Sequence, residues 1–271
     1  MALRLAVVFP GQGTAGGEVS GEVGEVVRRV LGSGEVPYQL SVFASSIDVF
    51  RKLKANGIEP DLVAGHSLGE YAAAYAAGAL GLDDGVRLVA ERDRLMTEAA
   101  KENPGGMTAI IGVDAWEVLS TVGGAEGVVV AANFNTPRQT VISGEESALE
   151  RVAGRVGGKK RKLVVAGAFH SPLMQQASMK LSSLLAEVPI KDPEIPMISG
   201  IDGGVLAEAD NVRLALRHQM LSPVRWVAVV ERFAALGIEE IVEAGEGTLV
   251  RMLRDFEDVK MRGRAAKGLL A

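Results

Sequence analysis

Apolar residues run unbroken through Leu3–Phe9, apart from Arg4, and stop at Pro10, followed by Gly11, Gln12 and Gly13. A short apolar run closed by turn-forming residues predicts a strand buried on both faces. Residues 14–37 are rich in Gly, Glu and Val, and Val26, Val27 and Val30 predict one short helix there. Leu40–Asn56 spaces its apolar residues at helical intervals and ends at Gly57, which suits a helix C-cap. Asp61–Gly65 predicts a second buried strand, Leu68–Leu80 a small-residue helix directly after it, and Gly85–Lys101 an amphipathic helix that ends before Asn103-Pro104-Gly105-Gly106. A strand feeding straight into a helix is the layout of an α/β sheet with crossover helices.

The rhythm then changes. Met107–Gly112 predicts a strand, Asp114–Thr121 a helix opened by its Asp, and Gly127–Phe134 and Gln139–Ser143 two strands joined by a short turn. Glu145–Val156 predicts a helix and Lys162–Val165 a last strand, which places Lys159-Lys160-Arg161-Lys162 largely in a turn. The order βαββαβ is that of a ferredoxin-like unit. After it the α/β alternation resumes, with helices over Pro172–Val188, Val212–Met220 and Val224–Ala235 and from Thr248, and strands at Met197–Ser199 and Glu240–Glu243. The expected fold class is α/β: an α/β-hydrolase-like large domain with a parallel sheet, residues 1–104 and 169–271, and an inserted ferredoxin-like subdomain, residues 105–168.

Composition narrows the chemistry. The 271 residues carry 29 basic and 34 acidic side chains, a net charge of −5, which argues against nucleic acid as the main partner. Cysteine is absent, so there is no disulfide, thiolate metal site or Cys nucleophile, and a cytoplasmic location is expected. The longest apolar stretch, Tyr71–Leu82, is far below the roughly 18 residues that span a bilayer. The N-terminal apolar run has no small-residue cleavage pattern after it, so a strand is expected there rather than a signal peptide.

Gly65-His66-Ser67-Leu68-Gly69 fits the Gly-x-Ser-x-Gly elbow between a strand and a helix. Such a turn presents the Ser hydroxyl at a helix N-terminus, where free N–H groups favour developing negative charge. The bland alternative is a plain turn capped by Ser. A serine nucleophile needs a base, and the chain offers only His66, His170 and His218. His66 adjoins Ser67 across a sharp turn, where neighbours point apart, and His218 falls within a helix. Elimination leaves His170, in a loop that leads into a helix.

These residues resemble the malonyl-CoA:acyl-carrier-protein transacylase family, the acyltransferases of fatty-acid and polyketide synthesis. The matching blocks are Phe9-Pro-Gly-Gln-Gly13, Gly65-His-Ser-Leu-Gly-Glu-Tyr71, Glu91-Arg-Asp-Arg-Leu-Met96, Asn133-Phe-Asn-Thr-Pro137, Val141-Ile-Ser-Gly144, Phe169-His-Ser171 and Gln219-Met-Leu-Ser-Pro-Val-Arg-Trp226. The resemblance implies that Ser67 carries the acyl group as an ester and that His170 is its base, oriented by the backbone carbonyl of Gln219. It also implies an oxyanion hole from the N–H groups of Gln12 and Leu68, and a pocket that includes Met96, Asn135 and Phe169. Arg92 would grip the free carboxylate of a malonyl group. Chemistry supports that role, because a buried carboxylate is costly without a partner and a guanidinium pairs with it bidentately. Its rival Arg94 points to another side of the same helix. Phe169 would fill the space that an α-methyl group needs, with simple packing as the alternative.

The substrates implied are malonyl-CoA and the phosphopantetheine thiol of an acyl carrier protein, with no permanently bound cofactor, no metal, and a monomeric enzyme. The basic run at Lys159–Lys162, with Arg151 and Arg155, would form a rim for the acidic carrier, or else simply a solvated turn. Alternatives on the same scaffold are an acyl-thioester hydrolase, the malonyltransferase of a malonate-catabolising or polyketide system, and a non-catalytic carrier-binding member. The sequence departs from the family pattern at Thr14 and Ala15, in the short spacing of 55 positions from Gln12 to Ser67, and in Glu243-Ala-Gly-Glu-Gly247, where the family usually has a Pro.

Overall fold

The computed structural model describes residues 4–14, 17, 19, 21–32 and 34–270. The expected strand start at Leu3 and the departure at Ala15 lie outside them. In chain order the elements begin with β1 (Leu5–Phe9), α1 (Gly21–Leu31), α2 (Tyr38–Ala55), β2 (Leu62–Gly65), α3 (Gly69–Ala76) and α4 (Leu82–Glu102). Then come β3 (Gly106–Ile111), α5 (Ala115–Gly123), β4 (Val129–Thr136), β5 (Gln139–Gly144), α6 (Glu146–Arg155) and β6 (Lys159–Lys162). The chain continues with α7 (Gln175–Glu187), β7 (Met197–Ile198), β8 (Val205–Leu206), α8 (Ala209–His218), α9 (Trp226–Ala235), β9 (Glu240–Glu243), α10 (Thr248–Met252) and β10 (Arg262–Ala265).

Six strands form one sheet in the order β10-β9-β1-β2-β7-β8, parallel except for β8. Central β1 explains the unbroken apolar run. Val7 and Phe9 join the core shared with α2, α3 and α4, whereas Ala6 and Val8 join a second core with α9 on the opposite face. All four are fully buried, so no position on this strand is left for a polar residue. The sheet is thus a middle layer between helices, and its carboxyl ends deliver Phe9, Gly65 and Glu243 to one edge.

Four antiparallel strands form a separate sheet in the order β4-β5-β3-β6. One face carries Ile110 and Ile142 against Val118 of α5 and Val152 of α6. The other carries Met107, Ala109 and Val141 into the main core. Strand β4 is also tied to the larger layer, since Phe134 N–H donates to Val224 O at 2.7 Å and Val224 N–H to Ala132 O at 2.8 Å. That pairing keeps Val224 out of the helix expected there, which begins at Trp226.

The basic run corrects an expectation. Lys159–Lys162 is itself the edge strand β6, and the predicted strand over Lys162–Val165 is irregular after Lys162. A sheet edge tolerates Lys and Arg because their charge deters pairing with another chain. The apolar character of Leu163 and Val165 belongs instead to a cavity that both residues line. The helix expected at Pro172–Val188 starts with one 3₁₀ turn over Pro172–Met174, capped by Ser171 Oγ, and becomes α-helical at Gln175. Strands β8 and β10 were not anticipated, since β8 is only two residues long and β10 carries Arg262, Gly263 and Arg264. Among the described residues, no helix is long and apolar enough to cross a membrane.

Candidate active site

Strand β2 turns into α3 through the elbow, and two contacts explain its glycines. A Cβ on Gly65 would lie 2.0 Å from the carbonyl carbon of Gly69, and one on Gly69 would lie 2.1 Å from the carbonyl oxygen of Phe9. Both distances are impossible for a carbon atom, so the turn exists only with glycine on each side. Ser67 between them adopts φ 52°, and His170 adopts φ 58°; no other described non-glycine residue has positive φ. A left-handed backbone is unfavourable for a side chain and persists where the surrounding fold enforces it. The two strained residues meet: Ser67 Oγ lies 2.7 Å from His170 Nε2.

The tautomer of His170 follows from its other nitrogen. Nδ1 lies 2.9 Å from Gln219 O and 3.0 Å from Ser222 O, and a carbonyl oxygen can only accept. Nδ1 therefore carries the proton, and Nε2 presents a lone pair to the Ser67 hydroxyl. Burial, followed by the positive charge of Arg92, lowers the imidazole to about 4, so it is neutral at pH 7. The second carbonyl, from Ser222, adds to the Gln219 carbonyl that the resemblance implied.

Arg92 is fully buried on α4 and reaches the same point. Its Nη2 donates to Ser67 Oγ at 3.3 Å and to Gln219 Oε1 at 3.1 Å, and its Nη1 donates to Gln39 Oε1. The guanidinium carbon lies 5.8 Å from the centre of the Tyr71 ring. Its partners are two carboxamides and a hydroxyl, none of them an anion. Arg94, the rival, is half-exposed and paired with Glu91 and Glu98 on the surface of α4.

A cavity of about 150 Å³ opens over Ser67 and His170, lined by Gln12, Asn135 and Phe169 and by apolar side chains that include Met107, Val141, Leu163 and Leu249. A second cavity of about 700 Å³ shares Gln12 and Phe169 with it and extends to Tyr38, Gln39 and Arg161. Leu68 is buried immediately after Ser67, with helical φ and ψ at the start of α3. Gln12 sits in a turn clamped by Tyr38, whose Oη accepts from Gly13 N–H and donates to Thr14 O, both at 2.9 Å. Asn135 is already engaged, its Oδ1 2.9 Å from His66 Nε2 and its Nδ2 donating to Gln139 Oε1 at 3.0 Å. His66 is thus held away from Ser67, beside the ring of Trp226, while His218 is exposed at the end of α8. Met96 lines neither cavity. It lies one turn beyond Arg92 on α4 and backs Gln39, whose Nε2 contacts its sulfur at 3.5 Å.

The block that lacks the usual Pro still fixes the cavity wall. The buried carboxylate of Glu243 accepts from the N–H groups of Gly247, Thr248, Leu249 and Val250 at 2.7–3.1 Å, which holds α10 in place. Three polar side chains of the site went unnoticed in the sequence: Gln39, Glu70 and the carboxamide of Gln219. Gln39 is placed by its own N–H, which donates to Asp93 Oδ1 at 3.0 Å.

The acyl transferase domain family matches residues 31–253. The malonyl CoA-acyl carrier protein transacylase of Bacillus subtilis is 39% identical over 219 residues, 78% of this chain and 69% of that protein. This chain belongs to the malonyl-CoA:acyl-carrier-protein transacylase family. Its fold matches that family in solved structures. The malonyl-CoA:ACP transacylase of Synechocystis sp. aligns with a TM-score of 0.87 at 28% identity, covering 97% of each chain. A malonyl-transacylase in complex with a type II polyketide synthase acyl-carrier protein aligns with a TM-score of 0.82 at 29% identity, covering 97% of this chain and 94% of that one. The chain is accordingly an acyltransferase, with a mixed α/β architecture of one largely parallel and one antiparallel sheet.

Proposed function

We propose that this acyltransferase moves a malonyl group from malonyl-CoA to the phosphopantetheine thiol of an acyl carrier protein, in two half-reactions through an ester on Ser67. The observation that carries the substrate choice is the buried guanidinium of Arg92, which touches the nucleophile's oxygen and has no anionic hydrogen-bond partner. A carboxylate three atoms from the reacting carbonyl carbon's sulfur would complete it. Charge-assisted hydrogen bonds of this kind contribute about 1.5–3 kcal/mol each.

In the first half-reaction Ser67 Oγ attacks the thioester carbonyl while His170 Nε2 takes its proton. The N–H groups of Leu68 and Gln12 stabilise the oxyanion, and collapse breaks the C–S bond. His170 Nε2 returns the proton to the departing sulfur, so CoA leaves as the free thiol and the base is neutral again. In the second half-reaction the carrier thiol gives its proton to His170 Nε2 and attacks the ester, and Ser67 recovers its proton as it departs. Phe169, beside the base, limits bulk at the α-carbon of the acyl group.

The carrier reading draws on the acyl-carrier complex of the solved relative and on the basic edge strand. In an antiparallel pair, opposed residues share a face. Lys159 opposes Ile111 and Arg161 opposes Ala109, so Lys159 and Arg161 share the face that Ala109 turns toward the main core and the cavities. Lys160 and Lys162 share the helix side, where Lys162 pairs with Glu146 of α6. The finer fold assignment belongs to the same proposal: an α/β-hydrolase-like large domain over residues 1–104 and 169–271, and a ferredoxin-like subdomain over 105–168. The strand order β4-β5-β3-β6 supports the latter. The working enzyme is a cytoplasmic monomer in this reading.

Weighing the intact protein after incubation with malonyl-CoA tests the proposal. A malonyl adduct is expected on the native protein and absent from Ser67→Ala. Steady CoA release with no adduct would instead identify a hydrolase.

A further inference from the structure

Glu70 is a buried carboxylate with no role in the scheme above, yet it lies one residue pair away from both Ser67 and Arg92. It stands in the first turn of α3, three residues after the nucleophile. Its Oε1 accepts from Gly200 N–H at 2.8 Å, and its Oε2 accepts from Gln219 Nε2 at 2.8 Å. The same Gln219 Nε2 donates to the carbonyl oxygen of Ser67 at 3.1 Å. Both amide hydrogens of Gln219 are therefore committed to acceptors, and its Oε1 is left facing Arg92 Nη2 at 3.1 Å.

This arrangement has one sense only. An ionised carboxylate accepts hydrogen bonds and cannot donate. It compels Gln219 to turn its NH₂ toward Glu70 and its oxygen toward the guanidinium. The flipped carboxamide would set two oxygens against each other at Glu70 and two donors against each other at Arg92. The buried cation and the buried anion thus act on each other through a single side chain that also touches the nucleophile's backbone.

We propose that Glu70 is a positioning residue for carboxylate-bearing acyl groups: it orients the Gln219 carboxamide, which holds the Arg92 guanidinium over Ser67 until the substrate carboxylate takes over that contact. The inference rests on Arg92 as the malonyl-binding group. It adds that recognition depends on a residue that never touches the substrate. Burial, opposed by the Gly200 N–H and by Arg92, pushes the Glu70 carboxyl up to about 7. The other charged group acting on it is Asp202 from the loop after β7, which raises it further. Once protonated, Glu70 can donate, and Gln219 is held in this sense only by Arg92 and the Ser67 carbonyl.

The test compares self-loading of Ser67 from malonyl-CoA and from acetyl-CoA, whose acyl group has no carboxylate for Arg92. Four proteins are needed: native, Glu70→Gln, Arg92→Ala and the double variant, each with its melting temperature. The malonyl-to-acetyl ratio of kcat/KM should fall about tenfold in Glu70→Gln, and Glu70→Gln should lower it no further once Arg92 is gone. Equal loss of both activities in Glu70→Gln, with Arg92→Ala shifting the ratio, would reduce Glu70 to a structural residue and leave Arg92 intact as the malonyl group's partner. An unchanged ratio in Arg92→Ala would instead overturn the recognition reading itself. Should Glu70→Gln not fold, the native enzyme answers alone. Its malonyl-to-acetyl ratio should decline as pH falls through about 7, and a ratio flat from pH 8 to roughly two units below would overturn the inference.

Discussion

The two sheets of this protein treat their residues in opposite ways. In the large sheet, β1 is buried on both faces and its end approaches the elbow so closely that Gly69 has no room for a Cβ. In the small sheet, one face is packed by α5 and α6, the other joins the core, and the edge strand β6 is four exposed basic residues. The large sheet places Ser67, and its tight backbone contacts leave no latitude. The small sheet supplies a wall of the cavity and a charged rim, where side chains can change while the backbone stands. Substitutions on the first should thus alter folding or chemistry, and substitutions on the exposed rim of the second should alter only encounter with a partner.

The sharpest break of that contrast is Gly69→Ala. A methyl group 2.1 Å from the Phe9 carbonyl oxygen forces the elbow open. A destabilisation of about 3 kcal/mol is expected, within the range of severe backbone substitutions, with loss of activity. The fall in Tm should be roughly 6–12 °C for a chain of this size. Thermal denaturation measures it, and a native melting temperature would show that the turn is not under the constraint described.

Arg92→Ala comes next, and it acts on chemistry without touching the sheet backbone. Malonyl loading should fall on the order of 100-fold to 1,000-fold, about 3–4 kcal/mol at 1.36 kcal/mol per tenfold, with acetyl loading far less affected. The same variant has a pH signature. Burial first and the Arg92 charge second hold the His170 imidazole at about 4, because a nearby cation disfavours the imidazolium. Removing that cation raises the pKa toward its ordinary value. The acid limb of acetyl loading should therefore move to higher pH, so that activity is lost earlier as the solution is acidified. A limb that stays in place would mean that Arg92 does not act on the base.

The smallest effect belongs to the small sheet. Lys159→Glu with Arg161→Glu reverses the charge on the face of β6 that Ala109 shares. Transfer to an acidic carrier should slow several-fold at low salt, with the difference shrinking as ionic strength rises. Self-loading from malonyl-CoA should hold, and so should Tm. Equal losses in both half-reactions would remove the carrier from this surface.

What the sequence discloses divides along the same line. The elbow is local: five residues in a row, two of them glycine for a steric reason, declare a strand-to-helix turn with Ser67 at its apex. His170 was found because the chain has only three histidines to choose from. Gln39 and Glu70 escaped notice because their partners are distant in sequence, Gln39 meeting Arg92 across 53 positions and Glu70 meeting Gln219 across 149. No local pattern announces a hydrogen bond of that span. Strand β6 was hidden for another reason. Charge suggested a turn, whereas at a sheet edge the backbone pairs with β3 and the side chains remain in water. The apolar Leu163 and Val165, expected in the strand, serve the cavity instead.

The most direct test of acyl transfer through Ser67 is a chase of the acyl-enzyme. The protein is loaded with malonyl-CoA, freed of excess substrate, mixed with a phosphopantetheine-bearing acyl carrier protein, and both chains are weighed. The malonyl mass should leave the enzyme and appear on the carrier in equal amount. Loss of the mass from the enzyme as free malonate, with none gained by the carrier, would contradict the account.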